Sequence, residues 1–465
     1  MVFSSIAFLF VFLPVVLSVY YLVGRKAKNA VLLVASLLFY FYGEPRYTVL
    51  LVISSLSDYL HALYIENRRG TKRAKYALVS SIVVNLLLLG VFKYADFLIG
   101  AVNGALQTSI PLPHLRLPIG ISFFTFQTMS YTIDVYRNKA HAQKNLLSMA
   151  TYVCLFPQLV AGPIVRYVTV ADELDNRAHT LDGFAKGVRR FILGLGKKVL
   201  LANSLGALSG ELLNGVGSSV MGLWAGTLAF MLQVYFDFSG YSDMAIGLGR
   251  LFGFGFPENF DYPFISKSIS EFWRRWHMTL GSWFRDYVYI PLGGNRVKPP
   301  RWVFNLLVVW ALTGLWHGAA WNFVMWGLYL AVVISLEKLL MGRVVEKWPA
   351  ILRRVYAMLF ITLSFVIFNA DAGIGWKNVL TGMFGTGGLP VVSAPTAYYL
   401  KSYALVCVLG VIGATPLIKK AAVTLRVRQP ILAAVLEPVL CCALMVLVVA
   451  YLVDGSFNPF LYFRF

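Results

Sequence analysis

The chain has 465 residues, 58% of them hydrophobic and 13% charged, with a mean hydropathy of +0.69. A soluble domain carries about a quarter charged residues, so composition excludes a water-soluble globular fold and makes the bilayer the main solvent. The net charge is +20, from 41 Lys and Arg against 21 Asp and Glu. The basic residues stand between apolar runs, the pattern of cytoplasmic loops under the positive-inside rule. That placement argues against nucleic-acid binding and for contact with membrane lipids of negative headgroup or with a phosphorylated donor.

The first apolar run, 3–23, has no basic residue before it, and its first positive cluster, "GRKAK", follows it. A secretory signal has the opposite order, so the run reads as a retained helix with its N-terminus outside. Further apolar runs follow at 29–43, 46–65, 76–98, 119–136, 146–162, 187–206, 219–238, 240–256, 302–320, 322–341, 355–370, 402–418 and 431–453. Several are short for a core that needs about 20 apolar residues, which predicts about eleven crossings with re-entrant or interfacial helices between them. "GRKAKN", "ENRRGTKRAK", "YRNKAHAQKN", "RVVEKWPAILRR" and "KKAAVTLRVRQ" read as cytoplasmic. "TSIPLPHLRLP" and the Gly-rich stretch from Asp371 to Thr396 read as external. Seven Lys or Arg between 163 and 198 predict that 146–162 dips in and returns without crossing. No polar block is long enough for a soluble domain, so residues 1–465 read as one integral membrane domain.

Two polar constellations interrupt the apolar runs. "SFFTFQTMSYTIDVYR" places Gln127, Ser130, Tyr131, Asp134 and Arg137 at helical spacings, with Asp134 and Arg137 positioned to pair at i,i+3. "QVYFDFSGYSDMAIG" carries Gln233, Asp237, Ser239, Tyr241, Ser242 and Asp243 around Gly240, a candidate kink. Such groups either glue helices together or line a watery passage. Two carboxylates so close need solvent or partners, which favours the passage for the second cluster. Gly183/Gly187, Gly222/Gly226 and Gly249/Gly253 have the spacing that lets helices approach closely. "GLGRLFGFGF" lacks the strand and βαβ context of a nucleotide-binding loop. The four cysteines, Cys154, Cys407, Cys441 and Cys442, show no metal-ligand spacing and read as apolar filler.

The longest interruption runs from Pro257 to Pro300 and contains "SISEFWRRWHMTLGSWFRDYVYIPLGGNR". If 270–284 is one helix starting at Ser270, Trp273 and His277 share a face, with Trp276 and Leu280 beside them. Tryptophans and arginines together suit an interfacial helix. Arginines beside aromatic planes also suit phosphates and a heteroaromatic ring. Then "LTGLWHGAAWNF" sets His317 inside an apolar stretch between Trp316 and Trp321. An ionisable residue in a membrane span faces an interior cavity and marks a functional site by default. Desolvation disfavours an imidazolium, and a neutral imidazole can act as general base on a hydroxyl. The plain alternative is a histidine bonded to a neighbouring helix carbonyl. Of the other histidines, His61 follows Asp58 on one helix and suits a polar pair in a helix interface; His114, His141 and His179 sit in polar loops.

"FWRRWHMTLGSWFRDYVYIPLGGNR", followed about forty residues later by "LTGLWHGAAWNFVMWGLYL", resembles the membrane-bound O-acyltransferase family, in its branch serving bacterial polysaccharides such as alginate. "LPIGISFFTFQTMSYTIDVYR", "LFPQLVAGPIVRY", "YFDFSGYSDMAIGLGRLFGF" and "FNPFLYFRF" resemble the same branch, so the likeness covers nearly the whole chain. It implies an all-α polytopic fold: a ring of transmembrane helices with re-entrant helices around a central tunnel. It implies His317 as the catalytic histidine and His277 as a second functional one. It implies transfer of an acetyl group from a cytoplasmic thioester, acetyl-CoA or an acylated carrier protein, across a bacterial inner membrane for polysaccharide O-acetylation. No bound cofactor or metal is expected. A carrier protein and a separate extracytoplasmic acetyltransferase are the implied partners. On this reading Arg274 and Arg275, with Trp273 and Trp276, bind the donor, and His277 orients or hydrogen-bonds its carbonyl. Asp237, Ser239, Tyr241, Asp243, Gln127 and Trp316 line the tunnel, and His317 serves as general base or as a transient acetyl carrier. The competing classes are a transporter or flippase without transfer chemistry, and a scaffold that only anchors a secreted partner.

Overall fold

The computed structural model describes residues 1–214, 218–370, 375–386 and 388–455; the C-terminal "FNPFLYFRF" block and part of the Gly-rich stretch after Asp371 lie outside the described residues. In chain order its main helices are α1 (Phe8–Leu22), α2 (Lys28–Gly43), α3 (Thr48–Asn67), α4 (Lys72–Leu106), α5 (Ile121–Tyr136), α6 (Leu146–Cys154), α7 (Tyr167–Asp175), α8 (Leu181–Asn214) and α9 (Val220–Leu251). They continue as α10 (Ile269–Arg275), α11 (Met278–Phe284), α12 (Pro299–His317), α13 (Trp321–Met341), α14 (Ala350–Phe368), α15 (Trp376–Met383), α16 (Ala394–Ser402), α17 (Ala404–Gly413), α18 (Leu417–Arg428) and α19 (Pro430–Asp454). No strand occurs among the described residues. Among the described residues seven helices (α3, α4, α8, α9, α13, α14 and α19) are each long and apolar enough to cross a bilayer, and α16 and α17, bent by 60°, meet that standard only when taken together. The apolar helices α1, α2, α5 and α12 are shorter or more polar than that standard.

Two compact units emerge, Met1–Phe191 with Ser242–Pro257, and Ile192–Tyr241 with Glu258–Phe465. In the first, Phe8, Phe12, Phe39 and Phe156 pack ring against ring at 5.4–6.2 Å. Polar groups tie α3, α4 and α5 together. Buried Asp58 accepts from Ser81 Oγ at 2.7 Å and from Asn85 Nδ2 at 2.9 Å, and Thr128 Oγ1 donates to Asn85 Oδ1 at 3.1 Å. His61 does not join Asp58; its ring faces the Ser57 carbonyl and Ser80. Helix α6 starts at Asn145, whose side chain accepts from Leu147 N and Ser148 N. Its nine residues span about 14 Å, half of a ~30 Å hydrocarbon core.

The chain around Gly240 differs from expectation. Val220–Leu251 is one unbroken helix of 32 residues that runs through Gly240, where two separate runs were expected. Gly240 instead serves packing in the second unit, where a Cβ would lie 2.7 Å from the Gly194 carbonyl oxygen of α8. In the same unit α12 and α13 form a tight hairpin on glycine. A Cβ at Gly314 would lie 2.1 Å from Phe323 O, and one at Gly327 would lie 2.2 Å from Trp310 O. Backbones approach this closely only where side chains are absent. The hairpin holds His317 at the last position of α12, before Gly318 leaves the helix with an extended backbone.

Candidate functional site

The segment 270–284 is not one helix. Ser268 caps α10, its Oγ accepting from Glu271 N at 3.0 Å, and the helix ends at Arg275. Trp276 is extended, His277 adopts a left-handed backbone (φ 44°, ψ 54°), and α11 begins at Met278. The cause is competition for backbone groups by the preceding loop. Asp261 N donates to Arg275 O, and Met278 N donates to Asn259 O, both at 2.9 Å. Asn259 Oδ1 also accepts from Thr279 N at 3.3 Å and Thr279 Oγ1 at 2.8 Å, so it caps α11 from outside the helix. The expected common face of Trp273 and His277 therefore does not exist. A non-glycine residue in the left-handed region is strained, and such positions cluster at functional sites.

The break delivers His277 into an aromatic enclosure. Its ring stands edge-on to Phe238 at 4.6 Å and to Trp316 at 5.6 Å. Trp316 touches His317 at 5.0 Å, and His317 also meets Trp326 at 5.2 Å and Phe368 at 5.4 Å. The two histidines are 3% and 5% exposed, so both lie out of bulk water with one tryptophan against both rings. His277 Nδ1 lies 3.1 Å from Asn259 Oδ1, while its Nε2 is buried without a hydrogen-bond partner among the described residues. His277 lies outside the spanning helices. Burial first, then the neighbouring His317 ring, hold it well below the ordinary imidazole range, hence neutral.

The other expected site residues fall into distinct places. Trp273 packs on Trp310 at 5.1 Å and Trp326 at 5.4 Å, and the indole N–H groups of Trp273 and Trp326 are both buried without acceptors among the described residues. Trp276 is core packing, stacked on Phe272 at 5.5 Å and edge-on to Phe260 and Phe365. Arg275 is held between two carboxylates, Asp261 at 2.7 Å and Glu271 at 3.1 Å. Arg274 is exposed and lies near Lys338 of α13, which is exposed as well. Asp237 pairs with Lys198 at 2.6 Å in a fully buried site, and Asp243 pairs with Arg190 at 2.8 Å. Each carboxylate thus has its own cation. Ser239 and Tyr241 are buried beside them on α9. Gln127 belongs to the first unit, where its Nε2 donates to Tyr152 O at 3.1 Å.

Comparison with known proteins bears on what this enclosure does. Residues 37–371 match the membrane-bound O-acyltransferase family. The chain belongs to that family. It is similar to the probable alginate O-acetylase AlgI of Azotobacter vinelandii, 38% identical over 501 aligned residues that cover all of both chains. It is similar to the peptidoglycan O-acetyltransferase of Helicobacter pylori, 34% identical over 84% of this chain and 81% of the other. The teichoic acid D-alanyltransferase of Bacillus subtilis is 29% identical over 56% of this chain and 72% of its own. This chain is accordingly a multi-pass membrane O-acyltransferase.

Sequence reasoning passed over three residues of this O-acyltransferase's site region. Asn259 was visible only as a polar residue in the loop "FPENFDYP". Trp326 read as one more apolar residue of a span. Glu337 was the sole acid of "ISLEKLL"; it is 5% exposed and accepts from Ile269 N at 2.7 Å, Ser270 N at 3.1 Å and Ser270 Oγ at 2.8 Å. It fixes the start of α10, hence the position of the break that carries His277.

Proposed function

We propose that this O-acyltransferase lies in a bacterial cytoplasmic membrane and moves an acetyl group from a cytoplasmic thioester, acetyl-CoA or an acylated carrier protein, toward an extracytoplasmic polysaccharide. The observation that carries the reading is the water-poor aromatic enclosure that holds two histidines against one tryptophan. In it, one ring nitrogen of His317 takes the proton from the acceptor hydroxyl as the oxygen attacks the thioester carbon. The C–O bond forms, the C–S bond breaks, and the proton passes from His317 to the leaving thiolate. The buried indole N–H groups of Trp326 and Trp273 suit the negative charge that grows on the carbonyl oxygen. Flanking rings exclude water that would hydrolyse the thioester.

Donor phosphates are assigned to Arg274 together with Lys338, rather than to Arg275, whose charge is met by Asp261 and Glu271. Final delivery to a polymer such as alginate or peptidoglycan falls to a separate extracytoplasmic acetyltransferase. The likeness to relatives named for those glycans supports a glycan acceptor.

The test is thioester cleavage by the protein in liposomes with labelled acetyl-CoA, with free CoA and labelled protein both followed. Wild type releases CoA and a folded His317→Ala variant does not. Equal release by both would remove His317 from the chemistry. Release by neither, with acetyl-CoA and with an acylated carrier protein in turn, would sink the acyl-donor reading and favour a transporter.

A further inference from the structure

The hydrogen bonds around Asn259 decide which nitrogen of His277 carries its proton. Asn259 is 1% exposed, and one amide atom faces Thr279 N, Thr279 Oγ1 and His277 Nδ1 at 3.3, 2.8 and 3.1 Å. A backbone N–H only donates, so the atom that faces it is the amide oxygen, and an amide oxygen only accepts. His277 Nδ1 must therefore bear the hydrogen. A neutral imidazole has one N–H, so Nε2 is left with its lone pair exposed to the enclosure and without a partner among the described residues. Burial keeps the ring neutral, which preserves this division between the two nitrogens.

We infer that Asn259 is a positioning residue that locks His277 in the Nδ1–H tautomer and so presents Nε2 as a hydrogen-bond acceptor for an O–H or N–H of the bound reactants. This inference rests on the acyl-transfer reading for what binds there, but not for the tautomer itself. In this state His277 has no hydrogen to give a thioester carbonyl, so it accepts where the family resemblance suggested it donates. Two groups of the reaction carry a suitable hydrogen: an acceptor hydroxyl, and an amide N–H on the arm of a pantetheine-type donor. The left-handed backbone of His277 belongs to the same break, at which its Nδ1 meets Asn259.

The first experiment needs no activity. Protein with ¹⁵N-labelled histidine is placed in lipid bilayers without donor, and nitrogen NMR separates protonated from bare ring nitrogens; a His277→Asn sample identifies the His277 signals. The expected spectrum has a protonated Nδ1 and a bare Nε2. A protonated Nε2 in wild type overturns the proposal, whatever the protein acylates. The second experiment compares turnover in Asn259→Asp, which keeps an accepting oxygen, with Asn259→Leu, which does not. Asn259→Asp should retain turnover within a few-fold. Asn259→Leu should lose on the order of 10²-fold or more, as wrong tautomers do at other catalytic histidines. A rise in the KM of the thioester alone assigns the accepted hydrogen to its arm, and a rise in the acceptor KM alone assigns it to the hydroxyl. A fall in kcat alone places the bond in the transition state. Equal turnover by wild type and Asn259→Leu overturns the proposal.

Discussion

The start of α10 offers the sharpest test of how the fold holds the site. A helix leaves its first backbone N–H groups without intrahelical partners. Here Glu271 N is met by Ser268 Oγ, while Ile269 N and Ser270 N are met by the Glu337 carboxylate of α13 at 2.7 and 3.1 Å. Hydrogen bonds to a charged group contribute about 1.5–3 kcal/mol each. Glu337→Gln keeps one accepting oxygen and turns an NH₂ toward the other backbone donor. One charged bond is then lost and one is reduced to a neutral bond, for a cost of about 2–4 kcal/mol to local structure. At about 1.4 kcal/mol per factor of ten, amide exchange at Ile269 and Ser270 should speed up by roughly 30- to 1000-fold. Hydrogen–deuterium exchange on the peptide covering 268–276, in detergent or nanodiscs, reads this directly. Turnover should fall with it, because α10 leads straight into the break at His277. If exchange in that peptide is unchanged while the variant is folded, Glu337 does not hold the helix and the argument fails.

Gly314→Ala should force α12 and α13 apart, since its Cβ would meet Phe323 O at 2.1 Å; overpacking of this kind costs roughly 1–3 kcal/mol, read as a lower Tm together with lost turnover. Lys198→Met alone should destabilise by about 3–5 kcal/mol because it takes the cation from a buried Asp237, whereas Lys198→Met with Asp237→Leu should recover most of that loss in the same thermal assay. His179, in the loop before α8, is held below its ordinary value by burial, then by Lys28 and Arg177, so the folded state favours its neutral ring. Its contribution is therefore intact above pH 6.5 and is lost as pH falls from 6.5 toward the depressed value. The Tm of wild type should drop over that window relative to its plateau, and His179→Gln should flatten that part of the curve.

The helices were legible where apolar runs are long, and the two histidine blocks were legible by resemblance. What escaped was set by contacts distant in sequence. The pattern "SISEFWRRWHMTLGSWF" supports one continuous amphipathic helix, yet α10 and α11 part at His277 because Asn259 and Asp261 take backbone groups that a continuous helix would use. Periodicity cannot report a competitor fourteen or more residues upstream. Around Gly240 the error ran the other way. A glycine among polar residues looked like a kink, but the helix continues through it unbroken and the missing Cβ makes room for the Gly194 carbonyl. The partners of the clustered α9 carboxylates could not be named from the sequence because they lie on α8, about forty to fifty residues earlier in the chain.

Three of the buried charged residues share a local feature that a hydropathy window averages away. Lys93, Lys198 and Glu337 are each buried, and each stands on a π-helical turn, at Gly90–Tyr94, Lys197–Ala202 and Glu337–Met341. A π turn inserts an extra residue and shifts the faces of the helix beyond it. A charged residue that would otherwise travel with the lipid-facing stripe is thereby rotated inward, where it finds Ser122, Asp237 or the start of α10. An unpaired charge facing hydrocarbon is expensive, so the cost of a widened turn is repaid by one satisfied ionic or polar contact inside. For Glu337 the contact has a functional address: the π turn aims the carboxylate at α10, which ends at Arg275 just before His277. The same device that makes the span tolerable in lipid therefore sets the position of the second histidine, and relocating the π turn by deletion of one residue between Ser335 and Met341 should release α10 as surely as removing the carboxylate.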